Sequence, residues 1–300
     1  VAVGQYGFAL EEAGRYTEAE AWGRLGLELE PEDCWSMHCL AHVFEEQNRH
    51  LDGMGLLKSH MPVWREQNLL DAHIWWHLAL RLVEAEEFDA ALDLFDEQLI
   101  DIPANNQFRL TDSTSLLWRL ELAGVKVGNR WQAEADKWAG YAETHSNPFL
   151  DMHAALAFAS ASDHVAADRF FDSLTTAHLE GNSEVAEIFR TVVHPLVEGL
   201  RLFPRDKKRA AIAFEAAFPA FHRVGGSVVQ RQIVERSYSC ALLATGEYVK
   251  SAQYLDEKLK ISPNKSWLLR DRAKAAERSG DVPAATLYAR RADLMLASWN

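Results

Sequence analysis

Apolar residues recur at helical spacing along most of the chain, and no stretch shows a convincing strand-like alternation. Residues 1–31 show the pattern clearly. A first helix is expected to end near Ala13, before a turn at Gly14. A second helix is expected from Thr17 to about Glu30, because the proline that follows cannot continue it. This stretch therefore predicts a helix–turn–helix hairpin.

The same hairpin pattern returns along the chain. It is clear again over residues 72–103 and 246–263, with a degenerate copy before the first of these. Small residues at the helix contact, such as Gly7 and Ala19, and a proline at the end are typical of tetratricopeptide repeats, which are about 34 residues long. The middle of the chain is more divergent but keeps helical spacing. We therefore predict an all-α fold: a right-handed α-solenoid of about eight tetratricopeptide-like helix pairs, forming one unit over residues 1–300.

Two histidine pairs lie in consecutive predicted repeats. His38 and His42 are four residues apart, as are His73 and His77. Residues at i and i+4 share one face of a helix, so each pair would place two imidazoles on one stripe. Their recurrence at about one repeat length is the strongest indication of a site in the sequence. His73 and His77 fall on the stripe that faces the concave groove, whereas the first pair falls nearer the packing positions between helices.

Further polar residues fall at a similar phase of later repeats. Asp112 and Arg119 lie on the next first helix, and His153 lies on the one after it. The first helices of successive repeats line the concave surface of a solenoid. These residues would therefore extend the histidines into a polar ladder across the groove. Arg119 either pairs with Asp112 or extends its charged end along the surface.

A glycine-rich turn precedes a late helix. The sequence Gly-Gly-Ser at 225–227 predicts a turn in which Ser227 is the N-cap of the next helix. An anion site at that helix N-terminus is the alternative. Gln230 and Arg231 then fall in the first turn of the helix. We expect both side chains to face the groove.

Three interpretations of the four histidines remain open. Imidazole is a common metal ligand and HxxxH puts two on one face, although no HExxH metalloprotease helix is present. The second interpretation is a metal-free site, with histidine as general acid or base and tryptophan as the wall for a ligand. The third is hydrogen-bonded histidines in a binding scaffold. Both site interpretations predict that the four imidazoles converge within a few ångströms, whereas a scaffold predicts dispersed histidines.

Composition and charge argue against several classes of protein. The net charge of −13 disfavours a nucleic-acid groove or an anionic membrane partner, because both need basic patches. The apolar runs are too short to span a bilayer, and no signal peptide is recognisable. Three cysteines without CxxC spacing argue against a disulfide scaffold or a thiolate zinc site. We therefore expect a cytoplasmic protein without nucleic-acid or membrane partners, and homo-oligomerisation is left open.

Five sequence blocks stand in a fixed order: DCWSMHCLAHVFEE, DAHIWWHLAL, TDSTSLLWRLELAGVKVGNRW, HPLVEGLRLF and GGSVVQRQ. Together they resemble the tetratricopeptide repeat protein 38 family over about Gly4 to Arg278. The resemblance implies a helical repeat fold and a cytosolic or exosomal setting in eukaryotes, with bacterial members also known, but no settled activity. Members extend further at the N-terminus, which agrees with a chain that begins at Val1 inside a helical pattern. The matching positions are His38, His42, Glu45, His73, His77, Asp112, Arg119, His153, Gln230 and Arg231.

The leading prediction is a helical-repeat protein that binds a small molecule or peptide in its concave groove through histidine, tryptophan and acidic residues. The alternative is a metal-dependent, hydrolase-like enzyme that uses zinc, iron or manganese in the same groove. A protein–protein scaffold is the second alternative. The predicted catalytic residues are His38, His73, Asp112 and His153, the predicted ligand-binding residues are Trp35, Trp76, Arg119, Gln230 and Arg231, and the predicted metal ligands are His42, His77 and Glu45.

Overall fold

The computed structural model describes residues 1–65, 70–161, 165–178 and 180–297. The protein is 79% helix with no strand among these residues, which confirms the predicted all-α class. No helix in the described ranges is long and apolar enough to cross a membrane. The α-helices are α1 (Ala2–Glu12), α2 (Tyr16–Leu29), α3 (Cys34–Glu46), α4 (His50–Ser59), α5 (Met61–Trp64), α6 (Asp71–Glu84), α7 (Phe88–Leu94), α8 (Gln107–Leu122), α9 (Arg130–Trp138), α10 (Pro148–Ser160), α11 (Val165–Thr176), α12 (Glu184–Ile188), α13 (His194–Leu202), α14 (Lys207–Ala217), α15 (Val228–Ala244), α16 (Tyr248–Ile261), α17 (Ser266–Ser279) and α18 (Val282–Ala297).

These helices divide into two compact units. Unit 1 combines Val1–Leu99 with Tyr248–Asn300, and unit 2 is Ile100–Glu247. Unit 1 therefore holds α1 to α7 together with α16 to α18, and unit 2 holds α8 to α15. The single continuous solenoid stays a prediction.

The first hairpin has the predicted form. α1 and α2 are joined by a turn in which Gly14 adopts a φ of 74°, a left-handed conformation that glycine tolerates well. A Cβ atom on Gly7 would lie 3.3 Å from the carbonyl oxygen of Ala19 and 2.9 Å from the sulfur of Cys39. The small residues thus allow the close helix approach that the sequence predicted, and they also bring α1 against α3.

Helix α3 packs against α1, α2 and α4 in unit 1. Its N-cap is Asp33, whose side chain accepts hydrogen bonds from the Trp35 amide at 3.3 Å and the Ser36 hydroxyl at 2.7 Å. Every residue from 36 to 46 is buried, although the run contains two histidines and two glutamates. A helix buried on all sides has no solvent-facing stripe, so its polar side chains need partners inside the protein.

Replacing Gly4 with alanine should destabilise the protein. A Cβ atom at this position would overlap the backbone of Trp35 and Ser36, which cannot move aside as a flexible side chain could. We expect the free energy of unfolding to fall by about 1–3 kcal/mol, as for overpacking in a core. The matched control is Gly55→Ala on α4, where the added methyl meets nothing within 4 Å and should raise stability by about 0.5–1 kcal/mol. Urea denaturation measures both, and equal stability of the two variants would contradict the close contact.

Candidate functional site

Helices α3 and α6 bring the four predicted histidines together. The ring centroids of His38 and His73 lie 4.9 Å apart, and those of His42 and His77 lie 4.6 Å apart. His38 and His73 come first along their helices and lie side by side, and His42 and His77 come one turn later and also lie side by side. The two helices therefore run in the same direction along this contact. One ring nitrogen from each histidine lies within 4.8 Å of the other three. The convergence that both site interpretations predicted is therefore present.

Three of the four imidazoles are removed from solvent. His42 and His77 are fully buried and His38 is 4% exposed, whereas His73 is half-buried. Burial lowers the pKa of His42 to about 3, and the nearby His73 adds to the effect. Burial also lowers the pKa of His38 well below its ordinary value, with His42 and His73 acting in the same direction. Both rings are therefore neutral at pH 7, the state in which an imidazole nitrogen can bind a metal.

Aromatic side chains surround these rings. Neither nitrogen of His38 has a hydrogen-bond partner among the described residues. Its ring instead contacts Phe8, with centroids 4.9 Å apart, and Trp35, with centroids 5.8 Å apart. His73 stacks on Trp76 at 5.1 Å with an interplanar angle of 17°. The two predicted ligand-binding tryptophans thus form walls of the histidine cluster, and the interpretation as hydrogen-bonded histidines does not describe His38.

A second set of metal-binding side chains adjoins the cluster. Glu11, Glu12 and His42 each offer one atom within 4.8 Å of the other two. Glu11 Oε2 lies 3.5 Å from His42 Nδ1, and both side chains are completely buried. These glutamates were not predicted from the sequence, because adjacent acids near a helix end usually belong to a solvated surface. Only the packing of α1 on α3 reveals that one of them points inward.

Glu45 belongs to a cluster of buried charges one turn beyond the histidines. Its carboxylate accepts a 2.6 Å hydrogen bond from Lys265 Nζ and forms an ion pair with Arg81. Lys265 Nζ also lies 3.3 Å from Glu46 Oε1. Burial lowers the pKa of Arg81 to about 10. Because these cations occupy the Glu45 carboxylate, its predicted role as a metal ligand finds no support in this arrangement.

Three predicted site residues of unit 2 are buried, and two of them bond to backbone carbonyl oxygens. Arg119 Nη2 donates to the carbonyl oxygen of Val229 at 2.7 Å. Asp112 is 3% exposed and Arg119 is 6% exposed. His153 is 1% exposed, and its Nδ1 lies 2.8 Å from the carbonyl oxygen of Phe149, one turn earlier on α10. Burial lowers the pKa of His153 to about 4.

The remaining two, Gln230 and Arg231, hold the start of α15. The Gln230 amide donates to Ser227 Oγ at 3.1 Å, and the Ser227 amide donates to Gln230 Oε1 at 2.9 Å. This reciprocal capping box confirms Ser227 as the N-cap. Arg231 donates to the carbonyl oxygen of Gly226. Both side chains therefore have a local structural role in the turn that precedes the helix.

A serine–histidine–aspartate chain in unit 2 was not predicted from the sequence. His145 lies 2.8 Å from Asp151 Oδ1 through Nδ1 and 2.8 Å from Ser173 Oγ through Nε2. The Ser173 hydroxyl also meets the carbonyl oxygens of Arg169 at 2.6 Å and Ala142 at 3.0 Å. The direction of the bond between Ser173 and His145 depends on the imidazole tautomer, because the hydroxyl has one proton and several acceptors around it. Asp151 lies on α10 and Ser173 lies on α11, so the two contacts of His145 join these helices.

No protein-family model matches the chain. The resemblance to the tetratricopeptide repeat protein 38 family therefore stays a prediction that depends on the five sequence blocks. In unit 1, four imidazoles converge, the buried carboxylate of Glu11 adjoins them, and paired charges lie one turn away.

Replacing Lys265 with methionine should destabilise unit 1. The change keeps most of the side-chain volume but removes the cation that faces Glu45 and Glu46, and all three side chains are at most 3% exposed. Breaking a buried ion pair costs about 3–5 kcal/mol, because a charge is left uncompensated. The exposed pair of Lys260 with Glu257 supplies the control, since Lys260→Met should change stability by no more than about 0.5 kcal/mol. If urea denaturation gives the two variants the same stability, the buried charge cluster is not stabilising.

His153 makes unit 2 sensitive to acid. Its pKa of about 4 in the folded state lies below the ordinary value of 6.5, so the unfolded chain binds the proton first as the pH falls. The stability linked to neutral His153 is therefore present above about pH 6.5 and is lost between about pH 6.5 and pH 4. Between pH 7.5 and pH 5, the free energy of unfolding should fall by about 2 kcal/mol less in His153→Gln than in the parent. The exposed His222→Gln is the control, and a parent-like loss in His153→Gln would contradict the burial of a neutral ring.

Proposed function

We propose that this chain is a metal-binding helical protein that holds one late first-row transition-metal ion between His38, His42, His73 and His77. The convergence of four ring nitrogens from two helices, all within 4.8 Å of one another, carries the proposal. Four neutral nitrogen donors suit tetrahedral zinc, in which each nitrogen lies about 2.0–2.1 Å from the ion and about 3.4 Å from its neighbours. The four nitrogens of the present cluster would have to move closer together to reach those distances.

The donor set decides which ions fit. Imidazole suits zinc, copper, iron and nickel, whereas magnesium, calcium and manganese prefer oxygen ligands. Of the three ions expected from the sequence, zinc and iron fit the four nitrogens better than manganese. Four protein ligands leave a tetrahedral ion without an open position, as in structural zinc sites. The primary role of the cluster would then be to hold an ion and stabilise the helices around it.

A metal-dependent hydrolase is the second candidate, and the exposure of His73 favours it. His73 alone of the four is partly exposed, whereas the other three rings are buried. Three histidines with one open position form the arrangement of a catalytic zinc site. If His73 moved away, its place would become available to a water molecule that the ion activates. Trp76, on which His73 stacks, would line that opened position.

We also propose the tetratricopeptide-type solenoid and the cytoplasmic setting that the sequence predicts. The hairpins α1–α2 and α6–α7 support the repeat type, because each has the expected order of small residues, turn and terminal proline. In such an array α3 and α6 are first helices, which face the groove. Trp35, which is half-buried, would then be the contact for a small molecule, a peptide or a protein partner in that groove, whereas Trp76 is fully buried.

The metal proposal is tested by metal content and affinity of untagged protein. Zinc should be present at about one equivalent per chain, and His73→Ala should weaken its binding by more than the roughly 10–100-fold typical of an outer-shell loss. We choose His73 for the substitution because it is partly exposed, so its replacement should leave the core packing intact. The control is His60→Ala, another half-buried histidine of unit 1 outside the cluster, which should bind like the parent. Mass spectrometry and chelator competition measure both, and a parent chain that takes up no zinc, iron, copper or nickel refutes the proposal.

A further inference from the structure

We propose that Glu11 is the positioning residue of the metal site: its carboxylate accepts a hydrogen bond from His42 Nδ1–H and leaves His42 Nε2 as the ligand atom. This inference rests on the proposed function and deepens it. Histidines that bind metals usually donate the second ring nitrogen to a carboxylate or a carbonyl, which fixes the ring orientation and the tautomer. Glu11 is the buried carboxylate that the structure places at His42 Nδ1.

The packing of α1 on α3 explains how a glutamate reaches the cluster. Gly4, Gly7 and Glu11 are spaced at i, i+3 and i+7, so they share one face of α1. All three are buried, and the two glycines allow close contact with α3 at Ser36 and Cys39. Glu11 is the next residue along this face. Because α1 approaches α3 closely at the two glycines, the Glu11 side chain reaches the histidines of α3.

Phe8 supports the same arrangement from the neighbouring position on α1. Its ring centroid lies 4.9 Å from that of His38 and 4.9 Å from that of His42. It therefore limits how far the His42 ring can turn. Within these limits, the 3.5 Å separation between His42 Nδ1 and Glu11 Oε2 needs only a small shift to become a normal hydrogen bond.

Charge balance points to the same role. An ion with charge +2 among four neutral imidazoles would introduce uncompensated charge into a buried site, which is costly. The Glu11 carboxylate would be separated from that ion only by the imidazole ring of His42. Direct ligation by Glu11 fits less well, because four histidines already complete a tetrahedral set and Glu11 groups with His42 and Glu12 instead.

The first test compares zinc affinity in Glu11→Gln and the parent. Glutamine has nearly the same size and can still accept from the ring, but it carries no charge. Zinc binding should weaken by about 10–100-fold at an unchanged stoichiometry of one, measured by competition with a chromophoric chelator. Cobalt bound to the variant should keep its tetrahedral absorption spectrum, because the four ligands are unchanged. The matched control is Glu18→Gln, an exposed glutamate paired with Arg15, which should bind zinc like the parent.

The outcomes separate the two proposals. If the parent binds zinc and Glu11→Gln binds it within about twofold, the positioning role is wrong and the four-histidine site stands. If the parent binds no transition metal, both proposals fail. Should Glu11→Gln be unfolded by circular dichroism, nitrogen NMR of the zinc-loaded parent decides instead. A proton on His42 Nδ1 with zinc at Nε2 supports the inference, and zinc at Nδ1 overturns it.

Discussion

The shared direction of α3 and α6 is the constraint on which the candidate site depends. Their contact places His38 beside His73 and His42 beside His77. One turn further along, the same register brings Glu45 on α3 to Arg81 on α6. The two helices therefore carry a layer of imidazoles followed by a layer of opposite charges. A reversed direction would put imidazoles against charges, and neither layer would form.

The two layers have different physical requirements. Burial lowers the pKa values of His38 and His42, so the lone pairs of these two rings stay available at pH 7 without any counter-charge. The charged side chains one turn away are buried as deeply but are closely paired, and Lys265 reaches them from the start of α17. The C-terminal segment of unit 1 thus completes the charge layer on α3. One helix contact can therefore hold both the imidazole cluster and the buried ion pairs, because the two lie one turn apart.

The sequence predicted what depends on local spacing and missed what depends on packing. The hairpin of α1 and α2, the two histidine pairs and the Ser227 cap all follow from residues within one or two turns. Glu11 and Lys265 could not be found this way, because each reaches α3 from a distant segment and resembles a surface residue in its own stretch. The same holds for His145, whose partners Asp151 and Ser173 lie at no motif spacing.

His38 gives the clearest reason to treat the cluster as functional. A buried polar group without a partner costs about 1–3 kcal/mol, so such groups are few in folded proteins. His38 is buried, and among the described residues its nitrogens meet aromatic rings and other imidazoles but no hydrogen-bond partner. A leucine there would fold at lower cost. An ion or ligand that binds the His38 imidazole would offset this cost. Four rings that converge on one point suit an ion best.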